Sequence, residues 1–248
     1  MNVSNPQQSP LTPHPLRLNG NRLGLLGGSF NPIHNGHLAI AHHVYERLQL
    51  SRVLFIPTGD PPHKQSGSLA PAQTRLKMVE LAIADTPFFE VSAIEINRGG
   101  TSYSIDTVHE VRSQYGPSWN LFFIIGLDAF LEFSTWRAPE QLLRLCHFVV
   151  VTRPGQSFQS LSKMPLLSNL DTQALRQLDL GTLDLLDIPI PNSSGLTCLR
   201  LPPCLISASE IRKRVQCGLP LANMLPPPVE SYILQHSLYQ EDRNRTHI

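Results

Sequence analysis

Charge is scarce in this sequence. Asp, Glu, Lys and Arg make up 16% of its 248 residues, and the formal net charge is +1. Such a balance argues against nucleic acid or a membrane surface as partner, and no basic stripe with interleaved aromatics appears. Cysteine is scarce too. Cys146, Cys198, Cys204 and Cys217 form no C-x-x-C pair and no regular framework, so a disulfide scaffold is not expected. Cys146, beside an apolar run, is expected to be a buried thiol. Long apolar runs are missing: the stretch around Leu121 to Ile125 falls far short of the roughly 18 residues of a membrane span. No signal peptide is read either. A reducing, cytoplasmic setting is the expectation. Hydrophobic residues make up 41% of the chain, and the length supports one ample α/β core with a small helical appendage.

The chain is organised around residues 25–37, LLGGSFNPIHNGH. Arg22-Leu23-Gly24-Leu25-Leu26 is apolar enough for a first buried strand. Residues 38–48 carry apolar side chains at 38, 41, 44, 45 and 48, a helical spacing. Gly27-Gly28 lets the backbone come close to a ligand. His34 and His37 stand at i and i+3 across the helix start, near its unpaired N–H groups. A phosphate there would meet both rings. The stretch fits neither GxxxxGK[ST] nor GxGxxG, and spacing alone leaves open a tight turn with two surface histidines.

Further along, Arg52 to Pro57 reads as a second strand, followed by Thr58-Gly59-Asp60-Pro61-Pro62-His63-Lys64 at its carboxyl end, where open parallel sheets keep their ligands. A helix is predicted over 71–84 with Pro71 near its first position, and Arg75 and Lys77 could be plain surface charges. A strand is predicted over Phe88 to Ile96, then a helix opening within 99–107 that Ser102 or Ser104 could cap. Leu121 to Ile125 is the next central strand, with Gly126-Leu127-Asp128 directly behind it. Cys146 to Val151 is another, ended by Thr152-Arg153-Pro154-Gly155. Residues 156–200 are vague, with an alternating stretch near Leu183 to Ile188, and a helix or meander and one short strand are expected. In the tail, Leu205-Ile206 reads as a strand end, and Ser207 with Glu210 as a capping box. Ser209 and Arg212, at i and i+3 on the first turns, suit phosphate oxygens. Trp136 could stack on a ring or cover the core.

These motifs together resemble the HxGH nucleotidyltransferase superfamily over residues 22–239, and most closely its bacterial-type nicotinate-nucleotide adenylyltransferases. The signature is His34-Asn35-Gly36-His37 behind Gly28-Ser29-Phe30-Asn31-Pro32. The resemblance implies an α/β, Rossmann-like open parallel sheet with helices on both faces. Residues 205–239 would form a C-terminal helical part, 156–200 a variable insert, 1–21 a disordered leader and 240–248 a polar tail. It implies ATP and nicotinate mononucleotide as substrates, with Mg2+ arriving on ATP rather than in a protein cage, and deamido-NAD and pyrophosphate as products.

His34, His37, Lys64 and Arg212 would act in catalysis. Gly27, Gly28, Ser29, Phe30, Gly126, Asp128 and Ser209 would join the histidines and Arg212 around ATP. Asn31, His63, Lys64, Ser102, Tyr103, Thr107, Trp136 and Arg137 would hold the mononucleotide. The sequence departs from the family's SYT-x-x-T at Ser104, and from its ISST-x-x-R at Ala208 and Ser209. The hydroxyls at 104 and 209 survive. Open alternatives are preference for the amidated mononucleotide, a phosphopantetheine or cytidylyl relative, and a nucleotide sensor. A homo-oligomer is also left open.

Overall fold

The structure, a computed structural model, describes residues 20–59, 69–167 and 170–240. The expected polar tail beyond Gln240, most of the leader, and both His63 and Lys64 lie outside the described residues.

Among the described residues the strands are β1 (Asn21–Gly28), β2 (Arg52–Pro57), β3 (Phe89–Val91), β4 (Trp119–Gly126), β5 (His147–Val151), β6 (Leu185–Ile188) and β7 (Leu196–Leu199). They form one sheet in the order β3-β2-β1-β4-β5-β7-β6. Every neighbouring pair is parallel except β6 with β7. The sheet explains the near-continuous apolar runs, because both of its faces are covered. In β4, Leu121, Phe123 and Ile125 point to one face, and Phe122 and Ile124 to the other. The first face packs against α3 (Ile94–Arg98), α4 (Ser104–Tyr115), α5 (Leu127–Leu131), α6 (Pro139–Leu145) and α7 (Thr172–Leu180). The second packs against α1 (Asn35–Arg47), α2 (Ala72–Ile83), α8 (Ala208–Gln216) and α9 (Pro227–Gln235). The C-terminal helices thus share a core with the first two. Full burial of each such large apolar side chain favours the fold by roughly 1.5–3 kcal/mol.

Register places the site. Gly28 of β1 pairs with Pro57 of β2, and Gly126 of β4 with Val151 of β5, so four strands end together. The chain winds outward from β1 to β3 and then crosses back to β4 beside β1. The crevice at such a reversal of strand order is where open α/β sheets bind ligands. Gly27-Gly28 and Gly126-Leu127-Asp128 stand on its two sides.

Several expectations are corrected locally. The strand expected through Ile96 stops at Val91, because the Ile94 N–H turns back to the Ser92 hydroxyl at 3.3 Å and α3 begins. The cap of α4 is Tyr103, with neither serine capping it. Pro71 precedes α2 as its cap rather than opening it. Residues 156–200 contribute two strands, not one, and both extend the sheet. β6 lies in the alternating stretch near Leu183 to Ile188, and β7 is the added strand, at four residues too short to show a period. No strand forms at Leu205-Ile206. Ser207 does cap α8, its hydroxyl accepting the Glu210 N–H at 3.2 Å. The reciprocal half of the box is missing, because the Glu210 carboxylate binds Arg214 at 2.9 Å. No helix of the described residues is long and apolar enough to cross a membrane.

Candidate active site

Two adjoining cavities lie at the carboxyl ends of the strands. The larger, about 680 Å³, is lined by α1 from His34 to Glu46, by residues 152–154, and by Leu201 through Arg212. The smaller, about 360 Å³, is lined by Gly27, Gly28, Gly126, Asp128, Thr107 and Trp136, among others. Ser29, His37, Ile40 and Arg153 line both. The two cavities therefore meet at His37 and Arg153.

The histidine pair is built by the helix start. His34 is the cap of α1 and His37 sits in its first turn. Their rings stack with centroids 3.7 Å apart. The His34 backbone N–H donates to His37 Nδ1 at 3.3 Å, so Nε2 is the proton-bearing nitrogen of His37. Gly36 suits this packing, which leaves little room for a side chain. A Cβ there would lie 3.0 Å from His34 Nδ1 and 3.2 Å from Cys204 Sγ. Burial, then the Arg153 charge, pushes His34 down to about 4. Burial, then His34 and Arg153, holds His37 well below its ordinary value. Both rings are neutral at pH 7 before an anion arrives. His34 Nδ1 is buried without a partner among the described residues.

The larger cavity also receives the amino end of α8, with Ser209 and Arg212. The Arg212 guanidinium donates to the Asn31 carbonyl at 2.8 Å and to Ser209 Oγ at 3.3 Å. Asn31 lines this cavity, but its side-chain oxygen is already committed to the Ala70 N–H (3.0 Å) and the Tyr239 hydroxyl (2.9 Å). Its side chain ties three segments together. Phe30, expected beside ATP, lines neither cavity. It is buried, with its ring 5.0 Å edge-on to His37 and 5.9 Å from Phe55. Its part is to back the histidine from within the core.

In the smaller cavity the Asp128 carboxylate folds back over Gly126, where a Cβ would lie 2.5 Å from Oδ1. Trp136 is half-buried and packs on Phe123 and Phe133 at 6.0 and 5.6 Å, while also lining the cavity. Thr107 reaches it too, but its hydroxyl donates to the buried Glu95 at 2.8 Å. Burial pushes the Glu95 carboxyl up, against the pull of Thr107 and Arg98. Ser102 and Tyr103 line neither cavity, nor does Arg137. Arg137 lies over the Tyr103 ring at 4.8 Å and faces Asp106 at 3.8 Å. Gly27, Gly28, Gly126 and Asp128, expected around ATP, thus share their cavity with Trp136 and Thr107, expected around the mononucleotide.

Two arginines absent from the expected set matter here. Arg153 lines both cavities and acts electrostatically on both histidines. It stands two residues beyond the end of β5, a place that the strand-end rule marks. Arg75, expected on the surface, is 1% exposed. Its guanidinium donates to three backbone carbonyls: Ala70 at 2.9 Å, Ser29 at 2.8 Å and Gly59 at 3.0 Å. It binds the glycine turn of β1 to residues on either side of 60–68. The signal was its spacing, one turn before the buried Met78 and Val79 and two before Ile83.

Comparison with known proteins agrees with this architecture. The cytidylyltransferase-like family model matches residues 25–214. Proteins bearing the name "probable nicotinate-nucleotide adenylyltransferase" include one from Citrifermentans bemidjiense, 43% identical over 229 residues, covering 90% of this chain and 100% of the relative. Another, from Moorella thermoacetica, is 40% identical over 219 residues, covering 88% and 92%. Among solved structures, Plasmodium falciparum nicotinic acid mononucleotide adenylyltransferase, complexed with APC, aligns with a TM-score of 0.63 at 16% identity. It covers 88% of this chain and 97% of that one, a likeness of fold. With relatives above 40% identity matched along their whole length, the chain belongs to the nicotinate-nucleotide adenylyltransferase family of cytidylyltransferase-like proteins.

Proposed function

We propose that the chain transfers the adenylyl group of ATP to nicotinate mononucleotide, giving deamido-NAD and pyrophosphate. The observation that carries this reading is the pair of cavities joined at Ser29, His37, Ile40 and Arg153. Two nucleotides seated one in each would bring phosphate against phosphate at that junction. ATP fits the larger cavity, where the amino ends of α1 and α8 and Arg212 favour a polyanion. The mononucleotide fits the smaller, with its ring at Trp136. There the mononucleotide phosphate oxygen attacks the α-phosphorus of ATP. The new P–O bond forms as the bond to pyrophosphate breaks. An already anionic nucleophile needs no strong general base, so the protein's work is alignment and charge stabilisation. His37 Nε2–H and Arg153, which line the junction, would meet the charge that builds up.

Among the described residues no group of three or more His, Cys, Asp or Glu converges as a metal cage. In this reading Mg2+ enters with ATP, as part of the substrate. The four cysteines are free thiols, which supports a cytoplasmic setting.

The test is a parallel assay of nicotinate and nicotinamide mononucleotides with magnesium and each NTP, following the dinucleotide product. ATP with the nicotinate form is expected to dominate. Equal turnover with CTP, or faster turnover of the amide, would overturn the substrate assignment. An alanine series on α8 tests the phosphate role. Arg212→Ala is expected to lower kcat/KM for ATP at least tenfold, about 1.4 kcal/mol or more. Arg212→Lys should lose part of that, since a point charge replaces a fork. Lys213 is exposed, and Arg214 is engaged with Glu210 and the Pro220 carbonyl, so their alanine variants should keep activity. Three equal losses would show that Arg212 is only part of a solvated basic face.

A further inference from the structure

The larger cavity has two chemically different ends, and α1 is the ruler between them. His34 and His37 stand at its amino end with Arg212 opposite. The same wall continues along one helix face through Ala39, Ile40, His43 and Glu46. At 1.5 Å rise per residue, His43 lies about 9 Å and Glu46 about 14 Å along the axis from His37. The cavity thus extends well past the phosphate-binding end, with room for a ribose and a base. Facing this stretch is the apolar strip Leu201-Pro202-Pro203, a wall suited to a flat ring.

The far end is rich in acceptors. His43 Nε2 lies 3.2 Å from the Arg200 carbonyl. A carbonyl can only accept, so Nε2 donates, and Nδ1 is left as the lone-pair acceptor of the singly protonated ring. Glu46 is three residues on, on the same face. Its carboxylate forms no ion pair among the described residues and is acceptor-only when ionised. The cations lining the cavity, Arg153 and Arg212, belong to the phosphate end.

We propose that His43 and Glu46 form the base-reading end of the ATP site, selecting a purine that presents an amino group to them. Adenine offers its 6-amino donor. Guanine offers a 6-oxo acceptor at the same place, which two acceptors repel. Cytosine carries an amino group too, but one ring fewer leaves it short of the helix face. This rests on the reading of the larger cavity as the ATP site.

The test measures ATP and GTP in two ways, by steady-state kinetics at saturating nicotinate mononucleotide and by equilibrium titration of each nucleotide alone. Glu46 is exposed, so Glu46→Gln and Glu46→Ala are expected to fold. Glu46→Gln removes the charge and adds an N–H donor able to meet a 6-oxo group. It should raise the KM and Kd for ATP about tenfold, affect kcat less, and narrow the preference for ATP over GTP by more than that factor. His43→Leu should narrow it as well. An unchanged ATP-to-GTP ratio in both Glu46 variants would overturn the proposal, as would a loss confined to kcat. Failure of the parent protein to form any dinucleotide would instead strike the function assigned above, and the two titrations would still decide whether the base is read at this end.

Discussion

Replacing His37 by alanine is expected to lower kcat about a hundredfold while the protein stays folded. The ring lies where the two cavities meet, with its proton fixed on Nε2 by the His34 backbone N–H. Removing one preorganised donor from developing charge typically costs about 3 kcal/mol in the transition state. The same ring also helps cap α1, so alanine will cost some stability as well, about 1 kcal/mol. His37→Gln separates the two effects. A glutamine at this position can still accept the cap N–H, so it should recover melting temperature without recovering turnover. Recovery of both would make His37 a helix cap and nothing more.

The depressed histidines also set a pH dependence of stability. Each is held neutral in the fold, so each contributes stability that is fully present above the ordinary histidine range, near pH 6.5. That stability is lost as the pH falls toward the folded value, about 4 for His34, and His37, also held well below its ordinary value, adds to the loss. Thermal melts from pH 7 down to 4 should show a fall that is shallower in His37→Gln than in the parent.

Arg75→Met should give the largest loss of stability, about 3–5 kcal/mol. Methionine fills most of the volume but donates nothing. The carbonyls of Ser29, Gly59 and Ala70 would be left in the interior without their donor, each at about 1–3 kcal/mol before relaxation. At roughly 2–4 °C per kcal/mol for a chain of this size, the melting temperature should drop on the order of 10 °C. Arg75→Lys should recover only part, since an ammonium cannot hold three divergent carbonyls as a guanidinium fork does. Because one of those carbonyls belongs to Ser29, at the junction of the cavities, activity of the still-folded fraction should fall too. A change under about 0.5 kcal/mol, the ordinary surface value, would contradict the buried placement.

Arg75 also shows where sequence reading reached its limit. The strand, glycine turn and helix over residues 22–48 were legible because residue type and period agree: apolar run, glycines, then 3.6-residue spacing. The cap at Ser207 was legible for a similar reason, since a hydroxyl before a helical pattern has one common use. Arg75 sat in plain view on the buried stripe of α2, but charge outweighed spacing in the reading. What buries it is three carbonyls from distant turns, and no local pattern records them. Phe30 and Asn31 show the opposite case. They stand inside the signature, and were therefore expected at the ligands. A sequence motif does not say which side chains point inward: Phe30 lines neither cavity, and the Asn31 side-chain oxygen is held by the Ala70 N–H and the Tyr239 hydroxyl. Strand β7 escaped because four residues hold too few repeats to betray an alternation.

The short strands have a bearing on how the molecule behaves at high concentration. An open sheet leaves two rows of unsatisfied amides at its margins, each a template for another chain. Here the margins are β3, of three residues, and β6, of four. Each carries a carboxylate within it: Glu90, held by Arg52 and the Tyr115 hydroxyl, and Asp187, turned toward Thr197. A short margin offers few bonds to an incoming strand, and a carboxylate within it makes flat apolar pairing costly. The long apolar strands that build the site can therefore stay in the middle of the sheet without making the protein prone to stack into fibrils.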